Sequence, residues 1–455
     1  MLFAEQLNVN LEMSKHKNFS DSNTRVSIND GSGSLDHPPK ALRGLITEGM
    51  IIKQLSNLSQ LTLEVTDACN LNCEYCGYGS MYSDHDDRTN KYMKFEQAKI
   101  LIDYLIIYWN SLANKSFHRS IRISFYGGEP LLNFALIKEV VDYTGSLNLP
   151  QISFRYGMTT NALLVPRYLE YLVDKKFSLL ISLDGNEFNH SYRVDNNGNN
   201  SFHRVIKAIK QIQINHPEYY EGYVNFNAVL HNRNSVKETY DFIHSTFGKV
   251  PNMGELNNVG IRPEKREQFM QTYRNMKESL QNAENYDEIN KELFFKSPDT
   301  RSLSLLIHQY SGNVYRRYTD LLFEKEGYPT IPSGTCLPFG RKLFLTVNNK
   351  ILPCERIGQQ FVLGYVREVG VDLDPKVIAA KYNHYYDKLR EQCNTCYLQR
   401  ACIQCIFNIE DIEGKPVCRG YMNKERFREY VSGHMEYLRS HPGLYDKIMN
   451  DLVIN

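Results

Sequence analysis

From Leu61 onward the chain alternates two hydrophobic patterns. Short runs rich in β-branched and aromatic residues, LTLEV, IRISFY, SFRYGMT, LLISL and YVNFNAV, are separated by longer stretches with apolar residues at three- and four-residue intervals. The runs predict strands and the stretches predict amphipathic helices, because side chains repeat every second residue along a strand and every ~3.6 residues around a helix. Helices are expected near 92–109, 132–147, after Pro166, 201–214 and after Ser235, with a sixth strand around 256–261. Strand, helix, strand order repeated in this way predicts an α/β fold with a parallel sheet and right-handed crossovers. Its chemistry belongs at the carboxyl ends of the strands.

The flanks break this rhythm. The first 55 or so residues are polar and turn-rich, with Asp30-Gly31-Ser32-Gly33-Ser34 and Pro38-Pro39, and read as an irregular arm. From Pro263 to Tyr328 the chain is charged and helical in pattern. Leu343 to Val347, the pair Asn348-Asn349 and then Ile351-Leu352 predict a hairpin whose turn tolerates positive φ. A helical tail starts near Lys424. The expected division is an arm at 1–57, an α/β core at 58–262, a helical linker at 263–332, a cysteine-bearing domain at 333–423 and a tail at 424–455.

Length and charge narrow the class. A chain of 455 residues is expected to form two or three units. Its formal net charge of +1 gives no global field to attract nucleic acid or an anionic membrane. The most apolar stretch, from Ile100 to Trp109, is too short to span a bilayer, and the N-terminus lacks the pattern of a secretory leader. The expected compartment is the cytoplasm, with neither nucleic acid nor membrane as partner.

Ten cysteines then change the picture. Three sit near the first strand and seven near the other end. Five disulfides would suit a small secreted domain, whereas clusters at short spacing in a reducing compartment suit metal or Fe–S ligation. Cys69, Cys73 and Cys76 form C-x3-C-x2-C directly after the first strand, in TDACNLNCEYCGYG. Three thiolates can hold three irons of a cubane and leave the fourth open, while a structural zinc site wants four ligands in paired units. His85 lies nearby but off that spacing. The other seven are Cys336, Cys354, Cys393, Cys396, Cys402, Cys405 and Cys418, the last five reading C-x2-C-x5-C-x2-C-x12-C. That run is expected to be a ligating loop with almost no room for secondary structure.

The three-cysteine loop, with Tyr75 before its last cysteine, resembles the cluster-binding loop of radical S-adenosylmethionine (SAM) enzymes. The resemblance continues through Gly127-Gly128-Glu129-Pro130, Thr160-Asn161, Ser182, Asp184-Gly185 and Arg193 at successive strand ends. Taken singly, each of these is ordinary turn chemistry. The resemblance implies a partial (β/α)6-type radical SAM barrel, with Cys69, Cys73 and Cys76 holding a [4Fe-4S] cluster. It implies SAM contacts at Tyr75, Gly127, Gly128, Glu129, Thr160, Asn161, Ser182, Asp184 and Arg193. Glu129 would receive the methionyl ammonium, Ser182 and Asp184 the ribose hydroxyls, and Arg193 the methionyl carboxylate.

The seven-cysteine segment resembles the SPASM domain, the auxiliary Fe–S module of radical enzymes that mature peptides and sulfatases. It departs from that pattern at Asn349, where glycine is expected, and in the two residues between Cys402 and Cys405 where three are common. The resemblance implies two auxiliary [4Fe-4S] clusters, one enclosed by Cys393, Cys396, Cys402 and Cys418, the other held by Cys336, Cys354 and Cys405 with one iron open. Segments such as SFYGGEPLLN and GMTTNALLV resemble peptide maturases acting on cysteine-repeat precursors. The implied function is therefore radical modification of a ribosomally made precursor peptide, with thioether cross-linking at cysteine as one form. A flavodoxin or ferredoxin would donate electrons, and the arm would be at most a partial leader-binding element. A sulfatase-type (formylglycine) maturase and a radical enzyme of small-molecule or quinone cofactor biosynthesis are the alternatives. The lone histidines His203 and His231 are expected to be structural.

Overall fold

The computed structural model describes residues 9–12, 25–28, 39–114, 119–149, 151–310 and 331–451. Two short strands, β1 (Val9–Glu12) and β2 (Arg25–Ile28), pair antiparallel in the N-terminal arm. The Asp30 to Ser34 stretch lies outside the described residues, as does 311–328 of the expected helical linker.

Ten strands form the main sheet: β3 (Gln60–Thr66), β4 (Arg119–Gly127), β5 (Ile152–Thr160), β6 (Ser178–Ser182), β7 (Val224–Leu230), β8 (Asn252–Glu255), β9 (Leu343–Leu345), β10 (Lys350–Leu352), β11 (Gly364–Arg367) and β12 (Gly370–Asp372). Their order is β12-β11-β10-β9-β3-β4-β5-β6-β7-β8. From β3 to β8 every pairing is parallel, joined by the helices Phe95–Trp109, Phe134–Ser146, Val165–Asp174, Phe202–Asn215 and Val236–Phe247. The expected five strands and their helices are present, each within a few residues of where the pattern placed it. Both faces of β3 are covered: Leu61, Leu63 and Val65 are fully buried, and so are Thr62, Glu64 and Thr66 from the other face. Two-sided burial is the usual condition of a parallel sheet flanked by crossover helices.

Four local features differ from expectation. The stretch assigned to an irregular arm contains a helix, Glu48–Ser56, because Thr47 caps its N-terminus by accepting from the Met50 N–H and Ile51 and Leu55 are fully buried. The sixth strand is Asn252–Glu255, just before the expected 256–261. That later segment holds Asn257, Asn258 and Gly260, and Gly260 at φ 74° accepts from the Ser83 N–H at 2.8 Å, so it turns to brace another loop. The hairpin forms as expected, with Asn349 at φ 65°, but β9 pairs parallel with β3, so the hairpin extends the main sheet. Finally, Cys393 is carried by a 20-residue helix, Pro375–Asn394, and not by a bare loop.

By internal contacts the chain divides into two compact units that interleave in sequence: residues 47–293 with 336–379, and residues 1–46 with 294–335 and 380–455. The first holds the sheet. Against its β7 end, Leu230, Val236 and Tyr240 pack with Met276, Leu280, Ile289 and Leu293 from the expected linker. In the second unit the helices Pro298–Tyr310, Lys424–Ser440 and Leu444–Asp451 share a core of Leu303, Leu306, Ile307, Phe427, Val431, Met435 and Ile448. Among the described residues no helix is long and apolar enough to cross a membrane.

The turn at Asn349 has a measurable consequence. Its left-handed backbone is tolerated by Gly and Asn and resisted by β-branched residues. Asn349→Gly keeps the backbone but removes the side-chain oxygen that accepts from Gln97 Nε2 at 2.6 Å and should cost about 0.5–1.5 kcal/mol, whereas Asn349→Val loses that bond too and should cost about 1–2 kcal/mol more. Urea unfolding checks both.

Candidate functional site

The three cysteines lie on the loop that leaves β3, and all three are partly buried. The loop is stitched to the segment after β6 by the Asn72 N–H donating to the Val194 carbonyl at 2.7 Å and the Glu74 N–H to the Tyr192 carbonyl at 3.1 Å. It then turns tightly, with the Cys76 N–H donating to the Cys73 carbonyl and the Gly79 N–H to the Cys76 carbonyl. Burial pushes the Cys69 thiol up to about 11 and the Cys73 thiol up to about 12. A thiolate at either position would need positive charge beside it to stay ionised.

Two glycines make room for this loop. Gly127 has φ 134°, and a Cβ on it would stand 2.0 Å from the Thr66 carbonyl oxygen. A Cβ on Gly128 would stand 2.0 Å from the carbonyl oxygen of Ala68, the residue before Cys69. The backbones meet there through the Gly128 N–H donating to the Thr66 carbonyl and the Glu129 N–H to the Ala68 carbonyl, each at 2.9 Å. Glu129 has no exposed surface and joins the next strand end. One carboxylate oxygen accepts from the Thr160 hydroxyl at 2.8 Å and the Leu131 N–H at 3.2 Å, the other from the Asn161 N–H at 2.8 Å. Burial raises its carboxyl to about 7 against the lowering effect of those three donors. Asn161 in turn reaches the cysteine loop, donating to the Asn70 side-chain oxygen at 2.7 Å and lying 3.9 Å from the Cys69 sulfur.

The fourth strand end carries a buried ion pair. Ser182, at the end of β6, is buried. Asp184 accepts from Arg193 Nε at 2.9 Å, Arg193 Nη2 at 3.0 Å, the Val229 N–H at 2.9 Å and the Tyr75 hydroxyl. Burial alone would raise the Asp184 carboxyl, but the Arg193 guanidinium holds it well below the usual range. Arg193 also lies over the Tyr75 ring, 5.4 Å from its centre. The predicted residues thus converge in two groups: Gly127, Gly128, Glu129, Thr160 and Asn161 beside Cys69, and Tyr75, Asp184 and Arg193 behind Cys73. Asp184 is fully enclosed with four donors on it, so its place is that of a counterion to Arg193. His231, read as structural, has no exposed surface, with Nε2 3.7 Å from Asp184; His203 is exposed and pairs with Glu187.

Sequence patterns did not single out two contributors. Arg88, twelve residues past the last cysteine, donates from Nη2 to the Cys76 sulfur at 3.2 Å. Asn70, inside the loop, receives the Asn161 amide. Neither belongs to a spacing motif, so only the folded loop shows their positions.

The other unit holds a second nest. Cys393, Cys396, Cys402 and Cys418 line one pocket together with Leu42, Ser333 and Gln404. The Met422 N–H donates to the Cys396 sulfur at 3.5 Å, and the Tyr421 N–H to the Cys418 carbonyl at 3.1 Å. Such donors to sulfur are one of the means by which proteins set Fe–S potentials. Gly334 is required by contact, since a Cβ on it would lie 1.8 Å from the Cys402 carbonyl oxygen. Gln392 closes the nest, accepting from the Cys418 N–H at 3.1 Å and donating to the Pro416 carbonyl at 2.7 Å. Of the remaining three, Cys336 and Cys354 belong to the sheet unit and Cys405 to this one. The Cys354 sulfur accepts from the Arg356 N–H at 3.3 Å. Among the described residues no three His, Cys, Asp or Glu side chains are grouped to hold a single metal ion.

The Asp184–Arg193 pair sets a stability test. Breaking a buried ion pair from one side orphans the other charge and costs about 3–5 kcal/mol. Asp184→Asn should fall in that range by urea unfolding. Adding Arg193→Met should cost less than the sum of the two single changes, since it removes the orphaned cation.

A model of the radical SAM superfamily matches residues 63–245. An uncharacterised protein of Methanocaldococcus jannaschii is 37% identical over 156 residues, 34% of this chain and 49% of that one. The radical SAM cyclopropyl synthase TigE of Paramaledivibacter caminithermalis is 28% identical over 209 residues, 45% of this chain and 41% of its own. A cysteine-type anaerobic sulfatase-maturating enzyme of Clostridium novyi is 25% identical over 168 residues, covering 36% and 43%. The chain therefore spans less than half the length of these curated relatives. Among solved structures, native anSMEcpe with bound AdoMet shares the fold at TM-score 0.55 and 19% identity, over 86% of this chain and 99% of that one. The cysteine loop, the glycine-lined strand ends and the parallel sheet all lie within or beside the stretch 63–245, which matches the radical SAM superfamily.

Proposed function

We propose that the chain is a radical SAM peptide maturase that modifies a ribosomally made precursor. The observation that carries this reading is the presence of two cysteine nests: three thiols on one loop beside the β4 and β5 ends, and four lining one pocket. The first donor set fits a [4Fe-4S] cluster with one iron left for a cofactor, and the second fits a fully ligated one. When bound, the first cluster and SAM supply a reductive cleavage that yields methionine and a 5'-deoxyadenosyl radical able to take hydrogen from the substrate.

This chain's own residues bind and orient. Cys69, Cys73 and Cys76 hold the cluster. Glu129 and the Gly127-Gly128 backbone receive the methionyl ammonium, with Thr160 and Asn161 fixing the carboxylate's direction through the bonds given above. Ser182 faces the ribose. Arg193 spends Nε and Nη2 on Asp184 and keeps Nη1 for the methionyl carboxylate. Asp184 contributes by fixing Arg193, and Tyr75 packs against both. Cys393, Cys396, Cys402 and Cys418 would enclose one auxiliary cluster. The sequence division, with a radical core at 58–262 and an auxiliary module at 333–423, is the functional one, and a flavodoxin or ferredoxin in the cytoplasm supplies the electron.

Support for a peptide substrate comes from the fold shared with anSMEcpe, whose structures include one with AdoMet and the Kp18Cys peptide, at TM-score 0.54. The same likeness, with the similarity to cysteine-type sulfatase-maturating enzymes, favours a second reading in which Cys is oxidised to formylglycine.

One assay separates the two. The chain, reconstituted anaerobically, is mixed with a synthetic cysteine-repeat precursor peptide and, separately, with a sulfatase-derived Cys peptide. A product lighter by one hydrogen pair from the first, lost in a Cys→Ser version, is the expected result for a thioether. An aldehyde from the second selects the alternative. Cofactor turnover with neither peptide altered contradicts the peptide reading.

A further inference from the structure

We infer that Arg88 is a positioning residue for the first cluster, donating to the Cys76 sulfur so that the reduced cluster is stabilised and its potential raised. This rests on the radical SAM reading and goes beyond its motifs. Three independent features support it.

The first is the contact: Arg88 Nη2 lies 3.2 Å from the Cys76 sulfur. The second is how the side chain is held. Its guanidinium packs on the Tyr78 ring, 5.0 Å from the centre, and Tyr78 is only two residues past Cys76. The backbone beside Arg88 is pinned by Asp67, which accepts from the Thr89 N–H at 3.0 Å and the Lys91 N–H at 2.7 Å. Asp67 itself opens the cysteine loop, so one rigid turn carries both the ligand and its donor. The third is the absence of another anion. Among the described residues no carboxylate forms an ion pair with Arg88, and its buried Nε has no hydrogen-bond partner. A partly buried cation that stays charged at any working pH needs a counterion. The thiolate-ligated cluster provides one.

The direction of the effect follows from charge. One electron from a donor such as dithionite, flavodoxin or ferredoxin adds one negative charge to the cluster and its thiolates. A charge-assisted N–H···S bond stabilises that added charge more than it stabilises the oxidised state, which shifts the potential upward. Lys can supply the charge without the planar fork, and Gln can supply an N–H without the charge.

The test uses the full chain with its clusters reconstituted anaerobically, and follows the EPR signal that changes on adding SAM. The midpoint potential of that signal is expected to move to more negative values in Arg88→Gln and to return part of the way in Arg88→Lys, with iron content and any SAM-insensitive signals unchanged. An unshifted potential in Arg88→Gln with the cluster intact overturns the inference. If both variants lose the SAM-responsive cluster, Arg88 serves assembly alone and the inference also fails. A parent protein with no SAM-responsive signal at all refutes the radical SAM reading itself and not merely the role of Arg88.

Discussion

The site depends on one close approach, that of the β4 end to the loop leaving β3. Gly127 and Gly128 touch the carbonyls of Thr66 and Ala68 so tightly that no side chain fits at either position. That contact fixes where Cys69 begins, and Glu129 carries the constraint onward to Thr160 and Asn161 on the next strand. The glycines therefore have a mechanical reason to be there in addition to exposing backbone to a ligand. The placements of Glu129, Thr160 and Asn161 beside Cys69 follow from this joint.

On the far side of the loop the constraint is electrostatic. Asp184 and Arg193 are almost wholly buried, and the pair is sustained by two parallel hydrogen bonds and by Tyr75 and Val229 completing the carboxylate's partners. Such a pair contributes little net stability compared with an apolar replacement, but it fixes a direction. Tyr75 sits between Cys73 and Cys76 in sequence, so the pair anchors the loop from behind while the glycines hold it in front. The arrangement suits a cluster whose open iron must face a cofactor at a defined distance. In the other unit a long helix delivers Cys393 to a pocket lined by four cysteines, and the Met422 N–H donates to the Cys396 sulfur.

Much of this was legible in the sequence, for physical reasons that can be named. The strands from Gln60 to Leu230 announce themselves because a parallel strand is buried on both faces and its helices carry a regular apolar stripe. The three-cysteine loop was legible because its spacing is local, and the strand-end residues only through their resemblance, taken in order, to the radical SAM pattern. Contacts made across the chain were not. The helix Glu48–Ser56 escaped notice in a polar segment because nine residues give too little pattern, and its stability comes from Thr47 and from burying Ile51 and Leu55. Nothing in Leu343–Leu345 says that it will pair with β3, nearly three hundred residues earlier. Arg88 and the N–H donor of Met422 belong to no motif, and Asp184, expected at the ribose hydroxyls, is enclosed by Arg193, Tyr75 and the Val229 N–H, contacts that only the folded chain makes.

The central claim is that the Cys69, Cys73 and Cys76 loop generates a radical from SAM. The most direct measurement is 5'-deoxyadenosine formation by the anaerobically reconstituted chain given dithionite and SAM. The account predicts product from the parent protein and none from Cys73→Ala at matched protein concentration. Undiminished product from the Cys73→Ala protein would contradict it, since the radical would then arise elsewhere.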